Sequence, residues 1–462
     1  VSSASETGWL PDCVYTGEKF ESGLAFFADG LGRITRFSRT PADLAAAKRL
    51  PGQAALPGLV NGCAQSFPRA LRGRSEARTR SPGAVPGRAE GVGQLAGRLP
   101  DEDLYDVARM AFLEMMLSGI TCASEFHVLQ RRPDGTAAPD PNPAAQEILR
   151  AAHDLGLRLA LINVAYARSG FRQPDNPAES RWASGPLAQF LSATDRLREF
   201  AGAHYPADEA WVGVAPHSLR TVPLDYLKGI AAYAHTHRLR FFAPVSEATE
   251  DNEACVAEHG CRPVKLLADQ GMLGKRFTAL HAAQIDEEEA RLIGAARATV
   301  CVCPAPGRHP VPPLAPIDLL RAEGAEIAIG SGGYAQFNLL ASARLLDAQG
   351  PSGRPARPAP TAAVWFHALT VAGARSLGAP GGALEVGRPA DFFTVNLFDP
   401  SIAGADPATL LAHVIYSLER RAIRDVWIGA RPRLSNGRHP LQGAIIGRFA
   451  ELQQRLWPVE SS

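Results

Sequence analysis

A chain of 462 residues is long enough for one large core with a smaller unit beside it. Its formal net charge of +1 provides no field that would draw it to nucleic acid or to an anionic membrane. No apolar run reaches bilayer-spanning length, the first residues show no signal-peptide pattern, and the seven irregularly spaced cysteines read as free thiols of a reducing cytoplasm.

In chain order, residues 1–54 hold short strand-like pieces at 23–28 and 33–37, and a longer strand is predicted over 55–62. Residues 69–98 then carry Arg69, Arg72, Arg74, Arg78, Arg80, Arg88 and Arg98 among prolines and glycines. That stretch fits a mobile basic lid over an acidic substrate, and equally a loop with solvated charge. A helix opens at Pro100-Asp101, with Asp101 as its N-cap. Its apolar face is Leu104, Val107, Ala108, Ala111 and Met115, and Gly119 closes it. Strands follow at 120–126, 157–164, 211–215, 239–245, 277–280, 298–303 and 326–331, with helical segments between them. Eight such units predict an α/β fold, a (β/α)8 TIM barrel with its chemistry at the C-terminal strand ends. A doubly wound sheet shares the local pattern. Loops are predicted at 131–143, 304–316 and 350–360, and a closing helix at 442–457. His235-Thr236-His237 has the spacing of a ligand pair, but it falls where a helix gives way to a strand and reads as a solvated terminus.

Five segments carry chemistry. Pro57-Gly58-Leu59-Val60-Asn61-Gly62-Cys63-Ala64-Gln65 ends the first strand, and Ser66-Phe67 follows it. Gly119-Ile120-Thr121 leads to Glu125-Phe126-His127. Ala215-Pro216-His217-Ser218-Leu219-Arg220 ends the fourth strand, Pro244-Val245-Ser246-Glu247 the fifth, and Ile327-Ala328-Ile329-Gly330-Ser331-Gly332 the eighth. In this order they resemble the amidohydrolase superfamily, and most closely its N-formimidoyl-L-glutamate deiminases. Leu384-Glu385-Val386-Gly387-Arg388-Pro389-Ala390-Asp391-Phe392 and the Asn436-Gly437 turn extend the likeness over nearly the whole chain. The resemblance implies a small β-sandwich built from both termini, with boundaries at 1–54, 55–383 (barrel), 384–440 and 441–462 (helix). It also implies a homodimer.

The family holds one divalent metal through two first-strand histidines, a fifth-strand histidine and an eighth-strand aspartate. Here those positions are Cys63, Gln65, Pro244 and Gly332. Proline and glycine offer no side-chain donor, so the expectation is a vacated metal site and no cofactor. The resemblance leaves Glu247 as general acid/base and His281 as its partner. It leaves His217, Arg220, Glu125 and His127 as substrate contacts, with Arg220 reading a carboxylate. Pro68 and Val128 replace two further contacts, and the segment 303–309 replaces an acidic loop. Cys63 could be a thiolate nucleophile beside His281, or a small apolar residue filling space. Gln65 could bind substrate or fill space.

A zinc-bound water has its pKa lowered from about 15.7 to about 7, worth roughly 12 kcal/mol in making hydroxide. A positioned base supplies roughly 3–5 kcal/mol. The sequence therefore points to a repurposed, metal-independent enzyme. It would work by acid/base chemistry on a carboxylate-bearing, amino-acid-derived small molecule of amidine, imine or amide type. A non-catalytic partner subunit and a metal-dependent deiminase with substitute ligands are the alternatives.

Overall fold

Pro57-Gly58 is the hinge on which the architecture turns. In the computed structural model one strand, Lys48–Pro57, lies in a sheet made by the termini. After Gly58 the chain re-enters as Leu59–Asn61, the first strand of the barrel. The single strand expected over 55–62 is thus two. Proline removes a ladder donor, and glycine admits the close approach of Thr121, whose Oγ1 would lie 2.1 Å from a Cβ at position 58. The structure describes residues 6–74, 88–174, 176–304, 313–333, 336–348 and 360–458.

The barrel continues through Ile120–His127, Arg158–Ala165, Ala210–Pro216, Phe241–Val245, Phe277–His281, Thr299–Val302 and Glu326–Ile329. All neighbours pair in parallel in chain order. The eighth strand meets the first through Gly62 N to Ile329 O and Gly332 N to Cys63 O, both 3.0 Å. Asn61 reinforces this seam, its Nδ2 donating to Ser331 Oγ at 3.1 Å and its Oδ1 accepting from Ser331 N at 2.9 Å. These strands are buried on both faces, which is why they read as apolar runs. Phe126 reaches across to Phe242 edge-to-face, with ring centroids 5.4 Å apart.

The termini build one mixed eight-stranded sheet. Its edge strand Ile34–Ser38 bonds back to the segment before Phe392–Asn396: Ile34 N donates to Arg388 O and Gly387 N to Ile34 O. The sheet so curls on itself around Trp9, Phe26, Phe392 and Trp427. The closing helix is Gln442–Leu456. No helix among the described residues is long and apolar enough to cross a membrane.

One local reading is corrected. The helix begins at Leu104, not after Asp101. Asp101 instead pairs with the buried guanidinium of Arg181, 2.5 Å from its Nη2. A buried cation requires a counter-charge, and that long-range demand outweighs a cap.

Candidate active site

Strands five and six end in unusual backbone. Ser246, His281 and Ala282 have φ of 49°, 67° and 52°, in the left-handed region that non-glycine residues avoid. Such strain persists only where the surroundings enforce it. Here Ala282 N is held by Val245 O at 3.1 Å and Gln284 N by Ser246 O at 2.8 Å. The turned backbone sets His281 Nε2 3.7 Å from Glu247 Oε2. That gap suits an ion pair or one bridging atom and is too long for a direct hydrogen bond.

Cys63 lies just past strand one and Cys303 just past strand seven, each packed against a glycine of strand eight, which runs between them. The adjacent Cys303, burial and the nearby Glu247 and Glu125 carboxylates push the Cys63 thiol far above its ordinary pKa. It is therefore a thiol at neutral pH, which argues against the nucleophile reading. Gln65 donates from Nε2 to Phe126 O at 3.2 Å, so its amide serves the strand-one to strand-two contact.

His217 stacks on Trp182 at 5.8 Å and meets the edge of Tyr166 at 5.3 Å. Burial lowers its pKa to about 4, and among the described residues its buried Nδ1 has no partner. The hydroxyl of Ser246, beside Glu247, is buried and likewise has no partner among the described residues. Two orphaned polar atoms at neighbouring strand ends mark a place where a ligand or water would be taken up. Arg220 is oriented otherwise: its Nε is 2.9 Å from Asp251 Oδ1, and its side chain is 48% exposed. Asp251 also accepts from Ala248 N at 2.9 Å, which ties this ion pair to the residue after Glu247.

Glu125 and His127 flank Phe126, which points into the barrel, so strand alternation turns both the other way. Glu125 accepts from Ser66 N at 2.9 and 3.0 Å and from Ser66 Oγ at 2.9 Å. Burial raises its pKa to about 8. Burial, with Arg181 nearby, lowers that of His127 to about 4. Glu125 secures the loop after strand one through Ser66. The structure thus gathers Cys63, Glu247 and His281, with His217 alongside. Trp182, Tyr166 and Cys303 join them. Trp182 and Tyr166 had no sequence signal, since a loop aromatic is common. Cys303 stood only as the first residue of the segment 303–309.

The basic stretch is partly anchored. Arg69 and Arg72 both bridge to Glu114, at 2.8 and 2.7 Å, and Arg74 and Arg98 lie over the Trp457 ring at 4.9 and 5.6 Å. Arg78, Arg80 and the side chain of Arg88 lie outside the described residues, as do 305–312 and most of the 350–360 loop. A groove of about 380 Å³, lined by Ile317, Arg321, Glu326, Ile327, Trp365 and His367, sits at the start of strand eight, the end opposite this chemistry.

The donor set does not fit the family's metal. Pro244 and Gly332 bring no side-chain donor, and the adjacent Cys303 and burial hold the Cys63 thiol well above its ordinary pKa. Among the described residues no three His, Cys, Asp or Glu side chains are grouped to hold an ion. An aspartate could not simply return to 332: a Cβ there would lie 2.4 Å from Cys303 Cβ.

The amidohydrolase family model matches residues 56–438. The chain is 28% identical to formimidoylglutamate deiminase of Pseudomonas aeruginosa, over 90% of this chain and 94% of that one. It is 25% identical to a 5-methylthioadenosine/S-adenosylhomocysteine deaminase of Halobacterium salinarum, over 80% and 78%. Among solved structures, an amidohydrolase from Brucella melitensis superposes with a TM-score of 0.86 at 23% identity, covering 97% of this chain and 99% of that one. An adenosine deaminase from Xanthomonas campestris with bound zinc gives 0.81 at 22%, over 98% and 99%. These likenesses share the barrel and the terminal sheet, and the chain belongs to the amidohydrolase family.

Proposed function

We propose that this protein is a metal-independent amidohydrolase-family enzyme that moves protons at a C–N centre of a small, carboxylate-bearing substrate. The observation that carries the proposal is the Glu247–His281 pair, 3.7 Å apart on enforced left-handed backbone, beside former ligand positions without donors. Glu247 takes a proton from the substrate as general base. His281 holds or returns one across the same gap. The substrate carboxylate is read by the Nη groups of Arg220, whose Nε remains with Asp251. The planar C–N group lies toward His217, where Nδ1 awaits a donor or acceptor. Two deaminating relatives support an amidine, imine or related substrate.

Without a metal hydroxide, roughly 12 kcal/mol of nucleophile activation is missing, and a base recovers roughly 3–5. The reaction is therefore an elimination, cyclisation, isomerisation or addition to an already activated imine, in place of hydrolysis of a stable amidine.

The test has two arms. Protein purified from medium supplemented with zinc, iron and manganese is analysed for metal, and ammonia release from N-formimidoyl-L-glutamate is measured with and without added zinc. We expect metal far below one per chain and no turnover above background. Near one tightly held metal per chain with turnover would establish the metal-dependent deiminase in its place.

A further inference from the structure

The helix Thr249–His259 begins just after Glu247 and carries two acids, Asp251 and Glu258. They stand two turns apart, so they share one helix face. Each takes an arginine from a different loop at the barrel mouth. Arg220, after strand four, has its Nε 2.9 Å from Asp251 Oδ1. Arg168, after strand three, donates from Nη2 to both carboxylate oxygens of Glu258, at 2.8 and 2.6 Å. Its Nε donates in a second direction, to the backbone O of Arg220 at 2.9 Å. A planar guanidinium fork can serve two acceptors at fixed angles, which the point charge of a lysine cannot. The turn that carries Arg220 is held from the same side by Thr221 O, which accepts from Ala167 N and Arg168 N at 3.0 Å each. Arg168 and Glu258 are 22% and 14% exposed, against 48% for Arg220, so solvent and salt screen their pair the less.

We infer that Arg168 is a positioning residue for substrate recognition. Braced on Glu258, it fixes the backbone of Arg220 and so sets where the Arg220 guanidinium meets the substrate carboxylate. Asp251 fixes the far end of the Arg220 side chain and Arg168 fixes its root. Asp251 also accepts from Ala248 N, so both restraints refer Arg220 to the helix that leaves Glu247. Arg168 touches no substrate in this role. The role rests on Arg220 being the carboxylate contact proposed above.

The probe is N-formimidoyl-L-glutamate. Its Kd for the intact chain is measured by calorimetry for wild type, Arg220→Ala, Arg168→Gln, Glu258→Gln and the double variant Arg168→Gln/Arg220→Ala. We expect Arg220→Ala to raise Kd roughly 10- to 100-fold. Arg168→Gln and Glu258→Gln should each raise it roughly 3- to 10-fold. The double variant should bind no more weakly than Arg220→Ala, because a residue that acts only through Arg220 has nothing left to position. General damage to the fold would weaken binding whichever residue stands at 220. Glu258→Gln removes the brace from the helix side and decides the matter where Arg168→Gln folds poorly. Penalties that multiply in the double variant would overturn the positioning role and leave the carboxylate contact standing. So would wild-type affinity in Arg168→Gln and Glu258→Gln beside a weakened Arg220→Ala. No binding to wild type, or full affinity in Arg220→Ala, would overturn the carboxylate contact itself and this role with it.

Discussion

At the scale of single residues, the site is defined by what has been subtracted and by what remains held. Gly332 has a φ of 56° and sits against Cys303. Reinstating the family's aspartate by Gly332→Asp should therefore cost about 1–3 kcal/mol from backbone strain, with a further cost for overpacking. It should not bring zinc with it, because Pro244 still supplies no donor. Urea denaturation with metal analysis checks this; a variant of wild-type stability holding one zinc would refute it. Glu247→Gln keeps the size and removes the base. Once a turned-over substrate is in hand, we expect its kcat to fall about 10²–10⁴-fold with little change in binding. Unchanged kcat would remove Glu247 from the mechanism. The changed ligand positions and the Glu247–His281 partnership were legible through the resemblance to the family, whose motifs end the barrel strands. The packing of Cys63 against Gly330 and of Cys303 against Gly332 was not, since it depends on glycines in a third strand.

At the scale of elements, the barrel strands were legible because parallel strands buried on both faces must be apolar throughout. The start of the helix at Leu104 was not, because Asp101 answers Arg181 eighty positions along the chain. Glu125 was expected at substrate and instead joins strand two to Ser66. That placement has a pH consequence. Glu125 is raised to about 8 in the fold, so the stabilisation of its protonated form is complete below its unfolded value of 4.5 and is lost as pH rises through 8. His127 and His217 are lowered to about 4, so their contribution is complete above 6.5 and is lost as pH falls through 4. Between pH 4.5 and 6.5 the unfolded chain binds two protons at the histidines against one held by Glu125 in the fold, so stability rises with pH. Above that only the Glu125 proton differs, so stability falls. These three groups together place a maximum near about pH 6.5. Glu125→Gln should flatten the alkaline limb and steepen the acid limb, where the two histidine protons are no longer offset by one on Glu125, as read from urea midpoints across pH 4–9. An unaltered alkaline limb would mean that Glu125 is ionised in the fold.

At the scale of the whole molecule, the barrel and the terminal sheet share too much to melt apart. The Lys48–Pro57 strand runs through Gly58 into the barrel with no linker, and Gly58 N donates to Asp391 O at 3.0 Å. Asp391 was legible only as part of a resemblance to the family's terminal segment; its partner shows what it does. Its carboxylate takes Arg158 of strand three bidentately, at 2.6 Å to Nε and 3.1 Å to Nη2, and also accepts from Gly429 N at 2.7 Å. The pair is almost wholly buried, with side chains 4% and 1% exposed. Breaking one side of such a pair costs about 3–5 kcal/mol, far more than a surface bridge would, and the partly exposed Asp208, 3.5 Å from Arg158 Nη1, answers the remaining charge only in part. Asp391→Ala should therefore destabilise by about that amount. Because Arg158 belongs to the barrel and Asp391 to the sheet, the loss should appear in one transition, not in an early melting of the sheet alone. Urea unfolding followed both by tryptophan fluorescence, dominated in the sheet by Trp9 and Trp427, and by far-UV circular dichroism, dominated by the barrel helices, separates the cases. Coincident curves shifted together to lower urea are expected. Fluorescence that shifts ahead of the dichroism would show the sheet to be an independent unit and the Arg158–Asp391 pair to be no more than its local clasp.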